Sequence, residues 1–297
     1  MSVDAHPVRA GLAQVVGSSR PLSWINTAYP FAAAFLLAGG DDILTLVVGT
    51  LYFLIPYNLL MYGINDVFDY ESDLRNPRKG GVEGVVLDDR WHRTTLWAAV
   101  LSNVPFLVAL VWLGNGWSDL VLAISVFAVV AYSAPGLRFK ERPVVDSLTS
   151  STHFVSPAVF GVTLAGGSFT RPVLAVLAAY FLWGAASQAF GAVQDIGADR
   201  AAGIGSIATV FGARRTVRLA MAGYGAAAVL MLGAGWPGML AAVVPVVYLV
   251  SISPYRNLTD ESCEDANRGW RWFLVLNLVM GFLVTQLLIV MALTSSD

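Results

Sequence analysis

Charge is scarce in this chain. Asp, Glu, Lys and Arg make up 13% of its 297 residues, while 56% are hydrophobic. A water-soluble globule of this length cannot hide so much apolar surface, and the mean hydropathy of +0.65 excludes that class. Cysteine is nearly missing too: Cys263 stands alone, which excludes an internal disulfide. A cleavable signal peptide is absent from the pattern, because the basic N-terminal region runs into an apolar segment long enough to span; the first helix is expected to stay. The net charge of −2 says little about partners, since in a membrane protein the placement of basic residues matters more than their sum. No nucleic-acid partner is expected.

What is present is a series of apolar runs, each long enough to cross about 30 Å of hydrocarbon. They lie near residues 22–39, 43–62, 94–114, 117–134, 146–166, 172–194, 216–233, 237–253 and 270–293. The fold class is therefore all-α: a polytopic membrane protein of nine transmembrane helices in a single domain, residues 1–297, with residues 1–20 as a cytoplasmic N-terminal segment. Gly39 to Asp42 and Gly233 to Pro237 read as tight turns, predicting antiparallel hairpins on either side. The basic residues sort sharply on this map. Seventeen, among them Arg9, Arg20, Arg75, Arg78, Lys79, Arg138, Lys140, Arg142 and Arg200, fall on one face, and Arg171 alone falls on the other. The populated face is cytoplasmic by the positive-inside rule, which predicts a multi-pass cell-membrane protein with its N-terminus inside.

Against this background the acids stand out. After the second run comes N-D-V-F-D-Y-E-S-D, with Asp66, Asp69 and Asp73 at offsets of three and seven, one face of a helix. Carboxylates at the mouth of a hydrophobic bundle need cations. Magnesium suits them, since it is held by one or two carboxylates and completed by water and phosphate oxygens. After the sixth run a second set, Q-D-I-G-A-D-R-A-A-G, places Asp195 and Asp199 one turn apart with Arg200 alongside. Two such sets, four helices apart on one face, resemble an internal repeat and suggest a magnesium clamp on a diphosphate. Between them runs Tyr132 to Asp146, a loop bounded by Pro135-Gly136 and Pro143 whose Arg138, Lys140 and Arg142 would neutralise a leaving diphosphate.

With these residues in hand, the chain resembles the UbiA-type intramembrane prenyltransferases over nearly its whole length. The pattern N-D-x-x-D-x-x-x-D is matched by Asn65, Asp66, Asp69 and Asp73, and D-x-x-x-D by Asp195 and Asp199. The resemblance implies that the two motifs face each other across a central cavity capped by cytoplasmic loops. There they would bind Mg2+ and the diphosphate of an isoprenoid donor, with the prenyl chain pointing into the membrane. It further implies that Arg20, Tyr132, Arg138 and Lys140 contact the diphosphate, together with Asn65 and Arg200. Many members carry lysine where Arg138 stands, which leaves open whether Arg138 or Lys140 does that work. A narrower resemblance, over Arg138 to Pro157, is to the bacterial and archaeal lycopene elongases of C50 carotenoid synthesis. It implies dimethylallyl diphosphate as donor and lycopene as acceptor; a quinone-precursor aromatic or a chlorophyllide is the alternative acceptor.

The expected chemistry is ionisation followed by alkylation: metal and basic loop stabilise the breaking carbon–oxygen bond, and the apolar cavity excludes water. His153, inside the fifth run, is read as bonded to a neighbouring helix, and Phe127, Tyr180, Phe181 and Trp183 as packing or interface residues. Asp88, Asp89 and His92 read as exposed loop polarity, and Asp260, Glu261, Glu264 and Asp265 as a solvated face. A secondary transporter or channel is the rival reading, but it places ionisable groups near mid-membrane, whereas here no Lys or Arg lies near the centre of a run.

Overall fold

A computed structural model of the chain describes residues 7–74 and 86–294. Arg75, Arg78 and Lys79 lie outside the described residues, and so does the side chain of Asp73. The described chain is helical throughout, with short 3-10 turns and no strand. In order its helices are α1 (Pro7–Ser18), α2 (Ile25–Leu37), α3 (Ile43–Leu54), α4 (Pro56–Phe68), α5 (Tyr70–Asp73), α6 (His92–Leu113) and α7 (Gly116–Ser133). There follow α8 (Val145–Leu164), α9 (Arg171–Val193), α10 (Ile196–Ala202), α11 (Ile207–Phe211), α12 (Ala213–Met231), α13 (Val243–Ile252) and α14 (Ala266–Thr294).

Among the described residues, seven helical stretches are long and apolar enough to cross a membrane: 43–68, 89–113, 116–133, 171–193, 213–234, 238–255 and 260–293. Their outward surface is apolar, with Trp112 81% exposed and Leu278 72% exposed. Water would not tolerate such a surface, and lipid accepts it. This is a multi-pass membrane protein. The two remaining expected spans are helical but fall short in different ways. Helix α2 has 13 residues, about 20 Å of rise. Helix α8 has the length, at 20 residues, but it carries Asp146, Ser147, Thr149, Ser150, Ser151, His153 and Ser156, all buried.

Contacts divide the chain into two compact units, Met1–Phe139 with Thr152–Ser168, and Lys140–Ser151 with Phe169–Asp297. The first is built on a cluster of aromatics: Phe31, Tyr52, Phe53, Tyr57 and Phe160 are wholly buried, with ring centroids of Phe31 and Phe53 5.3 Å apart. Helix α8 crosses α2 backbone to backbone at Gly161, where a Cβ would lie 2.6 Å from the Phe31 carbonyl oxygen. The α2/α3 hairpin forms as the sequence predicts, turning at Gly39 (φ +90). Asp42 caps α3 by accepting from the Thr45 N–H, and hydrogen bonding from Thr45 holds its carboxyl below the usual range.

The expected second span is broken at Ile55, because Pro56 lacks an N–H and its ring clashes with the preceding turn. Carbonyls freed inside hydrocarbon need donors. Asn58 Nδ2 donates to the Phe53 carbonyl at 2.8 Å and the Leu54 carbonyl at 3.1 Å. Thr27 Oγ1 of α2 donates to the Phe53 carbonyl at 2.7 Å, and Asn103 Nδ2 of α6 to the Pro56 carbonyl at 2.7 Å. Residues 7–18 of the N-terminal segment form α1, which packs on α4 and α6. The Gly11 Cα rests against the Trp91 ring, close enough that a Cβ would lie 2.5 Å from it.

In the second unit α9 and α12 pack along most of their length. Small residues permit it: a Cβ on Gly223 would already press Ala186 at 3.0 Å. Ser187 Oγ and Tyr224 OH share a hydrogen bond at 3.0 Å across the pair. The α12/α13 hairpin also forms, turning at Gly235 (φ +74).

The break in the second span yields a test. Asn58→Ala leaves two buried carbonyls without that donor, and the expected loss is about 1–3 kcal/mol. Thermal unfolding in detergent measures it, and a variant as stable as the parent would refute the role given to Asn58.

Candidate active site

The first motif sits where α4 ends. Asp66 lies in the last turn, Asp69 is the residue after it, and Asp73 belongs to the separate α5. The expected single helical face is therefore corrected: the three aspartates occupy three successive positions along a chain that turns at Asp69 (φ −105, ψ 0). A helix C-terminus is the negative end of its dipole, which disfavours carboxylates by about 0.3–1 kcal/mol each and favours cations. Cations are supplied. Asp66, wholly buried, pairs through Oδ1 with the Arg20 guanidinium at 3.2 Å and accepts through Oδ2 from Ser18 Oγ at 2.9 Å. Arg138 stands 3.7 Å from Asp69 Oδ1. Ser133 Oγ donates to Asn65 Oδ1 at 3.0 Å, tying the motif to the end of α7.

Both arginines hold a left-handed backbone, Arg20 at φ 51 and Arg138 at φ 41. That conformation costs a side-chain-bearing residue about 1–3 kcal/mol, and it recurs at functional sites. The Arg20 guanidinium lies over the Tyr62 ring, 4.3 Å from its centroid. Its Nε is buried with no hydrogen-bond partner among the described residues.

The second motif sits where α9 ends. Asp195 precedes α10 and Asp199 lies in its first turn, with the Asp199 N–H donating to the Asp195 carbonyl at 2.8 Å. Both side chains are half-buried. Arg200 turns outward, paired with Asp260 Oδ2 at 2.7 Å and donating to the Thr209 carbonyl at 2.9 Å. Asp260 is therefore more than a solvated acid, because it also accepts from the Ala213 N–H at 2.7 Å, at the first residue of α12. Asp146, at the head of α8, is buried and accepts from the Ile207 N–H at 2.8 Å. Gly205 passes so close to the basic loop that a Cβ would meet the Glu141 carbonyl oxygen at 2.7 Å. Lys140 of that loop is half-buried and belongs to this unit, whereas Arg138 belongs to the first.

Ser18 and Ser133 escaped the sequence reading, and so did the roles of Asp146 and Asp260, because each acts on a residue distant in the chain. Among the described residues, no three carboxylate, histidine or cysteine side chains gather into a ready metal shell. Magnesium does not require one, since water and phosphate oxygens complete its octahedron. The hard-oxygen donors at a helix C-terminus fit that ion. Asp88, Asp89 and His92 form no metal group either: Asp88 pairs with Arg90 at 3.0 Å, and His92 Nε2 meets the Leu87 carbonyl at 3.1 Å.

The family model for the UbiA prenyltransferase family matches residues 27–279. The chain is 58% identical over 273 residues to the C(50) beta-cyclic carotenoids biosynthesis protein LbtBC of Dietzia sp. (strain CQ4), covering 92% of this chain and 63% of that relative's length. It is 54% identical over 272 residues to the lycopene elongase/hydratase of Corynebacterium glutamicum, covering 92% and 95%. Among solved structures, a UbiA homolog from Archaeoglobus fulgidus bound to DMAPP and Mg2+ superposes with a TM-score of 0.66 at 17% identity, over 90% of this chain and 98% of that one. At that identity the likeness shows the fold alone. The family match and the close relatives together establish that the chain belongs to the UbiA prenyltransferase family.

Proposed function

We propose that this chain transfers a prenyl group from an allylic isoprenoid diphosphate, dimethylallyl diphosphate, to lycopene within the membrane, acting as a lycopene elongase of C50 carotenoid synthesis. The observation that carries the reading is the buried Asp66 carboxylate held by Arg20 and Ser18 at the end of α4. The relatives named for lycopene elongation and C(50) carotenoid synthesis supply the acceptor class. The apolar character of the spans supports an acceptor with no charge to pair.

Asp66, Asp69 and Asp73 form one carboxylate set, and Asp195 and Asp199 the other, for the same diphosphate. Bound there, magnesium would draw off the charge that develops on the leaving oxygen. Arg20, Arg138 and Lys140 hold the departing diphosphate, and the buried Nε of Arg20 is a donor that a phosphate oxygen would satisfy. Asn65 and Tyr132 orient it. Arg200, committed to Asp260 and Thr209, serves by fixing the segment that carries Asp199. The apolar helices keep out water that would quench the allylic cation. We read residues 1–297 as one catalytic domain in the cell membrane, N-terminus inside, with the motifs on the cytoplasmic face.

In membranes given dimethylallyl diphosphate, lycopene and Mg2+, Asp66→Asn and Asp195→Asn are each expected to lower product formation by about 100-fold or more. Full activity in both variants would defeat the reading. Chelation with EDTA should abolish product, and added Mg2+ should restore it. The orientation is tested with Cys263→Ser as background. A cysteine at Gly116 should react with a membrane-impermeant maleimide on intact cells and one at Arg142 should not, and the opposite pattern would reverse the assigned sides.

A further inference from the structure

Where α12 begins, in the second unit, positive charge gathers without an acid to balance it. Arg214 and Arg215 stand in the first turn, which holds no acid of its own, and both side chains are exposed. The start of a helix is the positive end of its dipole, so it favours anions and opposes cations. Arg218 follows Arg214 one turn later on the same face, where like charges repel.

The surroundings do little to neutralise these groups. Among the described residues, neither the Arg214 nor the Arg215 guanidinium has an ion pair or a hydrogen bond. Arg218 donates to the Arg256 carbonyl at 3.3 Å and to Asn257 Oδ1 at 3.1 Å, and Arg256 donates to the Ser253 carbonyl at 2.9 Å. All three acceptors are neutral. Asp260, the acid beside them, is already committed to Arg200 and to the Ala213 N–H, each at 2.7 Å.

A hollow of about 360 Å³ opens here. Arg214 and Arg215 line it with Thr259 and Asp260, and Phe211 and Leu258 add apolar wall. Paired guanidiniums present forks of N–H donors that match phosphate oxygens. Apolar surface then continues down the helix from Arg215. Leu219, Ala222, Ala226 and Val229 recur at helical spacing, all exposed, along the span 213–234. From Arg215 to Val229 the helix rises about 21 Å, more than the roughly 15 Å of one leaflet's hydrocarbon. A soluble anion has no use for that stripe, whereas a lipid offers a headgroup to the arginines and a chain to the helix.

We propose that this hollow holds the phosphate of an anionic phospholipid whose acyl chain lies along the outer stripe of α12. The site does not depend on the prenyl-transfer reading. Membrane anions are drawn to clustered arginines at the end of a span, and here the arginines have no competing partner. The phosphate neutralises Arg214 and Arg215 beside Asp260, which leaves that carboxylate to Arg200 and the start of α12.

The test uses the purified protein in a neutral detergent, titrated with phosphatidylglycerol and followed by mass spectrometry of the intact complex and by thermal unfolding. The parent is expected to retain phosphatidylglycerol in preference to phosphatidylcholine and to unfold at a higher temperature in its presence. Arg214→Gln combined with Arg215→Gln should weaken that binding by about tenfold or more. Arg268→Gln combined with Arg271→Gln removes the same charge from exposed positions of α14 and should leave it unchanged. Equal loss in both double variants would reduce the effect to the general charge of the border and overturn the proposal. Inorganic phosphate stabilising the parent as well as phosphatidylglycerol does would overturn it too, since a soluble anion would then suffice. Should the first double variant not accumulate, the parent decides: equal retention of the two lipids refutes the assignment.

Discussion

A charged carboxylate inside an apolar bundle must be held by a cation and by hydrogen bonds, and Asp66 is such a carboxylate. It lies at the negative end of the α4 dipole with no exposure to solvent, where an unpaired charge would cost several kcal/mol. Arg20 and Ser18 answer that need, and meeting it explains the N-terminal segment. Helix α1 packs on α4 and α6 and ends at Ser18; the chain then takes a left-handed step at Arg20 that goes with the approach of the guanidinium to the acid. Arg138 repeats the arrangement toward Asp69, again from a left-handed backbone position. Two strained arginines on one motif mark a place where rigidity for an anion outweighs local conformational preference.

The same accounting governs the backbone. Lipid offers no donors, so the break that Pro56 imposes is tolerable because Asn58, Thr27 and Asn103 reach the exposed carbonyls. Helix α8 follows that logic with side chains. Ser151 donates to the Phe181 carbonyl at 2.7 Å and Ser150 to Gln188 at 3.1 Å, so two of its hydroxyls are tied to α9.

In the second unit the chain that follows the motif aspartates is held by acids with no part in the motif. Asp146 grips the Ile207 N–H, and Asp260 grips both Arg200 and the Ala213 N–H. These ties fix both ends of the segment that runs from α10 to α12.

The sequence by itself determined the class, the apolar runs and the two aspartate motifs, because hydrophobic length and carboxylate spacing are local properties that lipid thickness and helix pitch make readable. The polar content of α8 was readable too, although its consequence, a helix rich in buried hydroxyls, was not. Tertiary structure alone decided the rest. That Leu12 of α1 faces outward while Gly11 meets Trp91, that Ser18 reaches Asp66, and that Asp260 serves Arg200 all join residues far apart in the chain. It also turned the supposed single aspartate face into three successive elements. Such contacts are set by the packing of helices against one another, and no periodicity within one segment encodes which distant side chain will arrive to satisfy a buried charge.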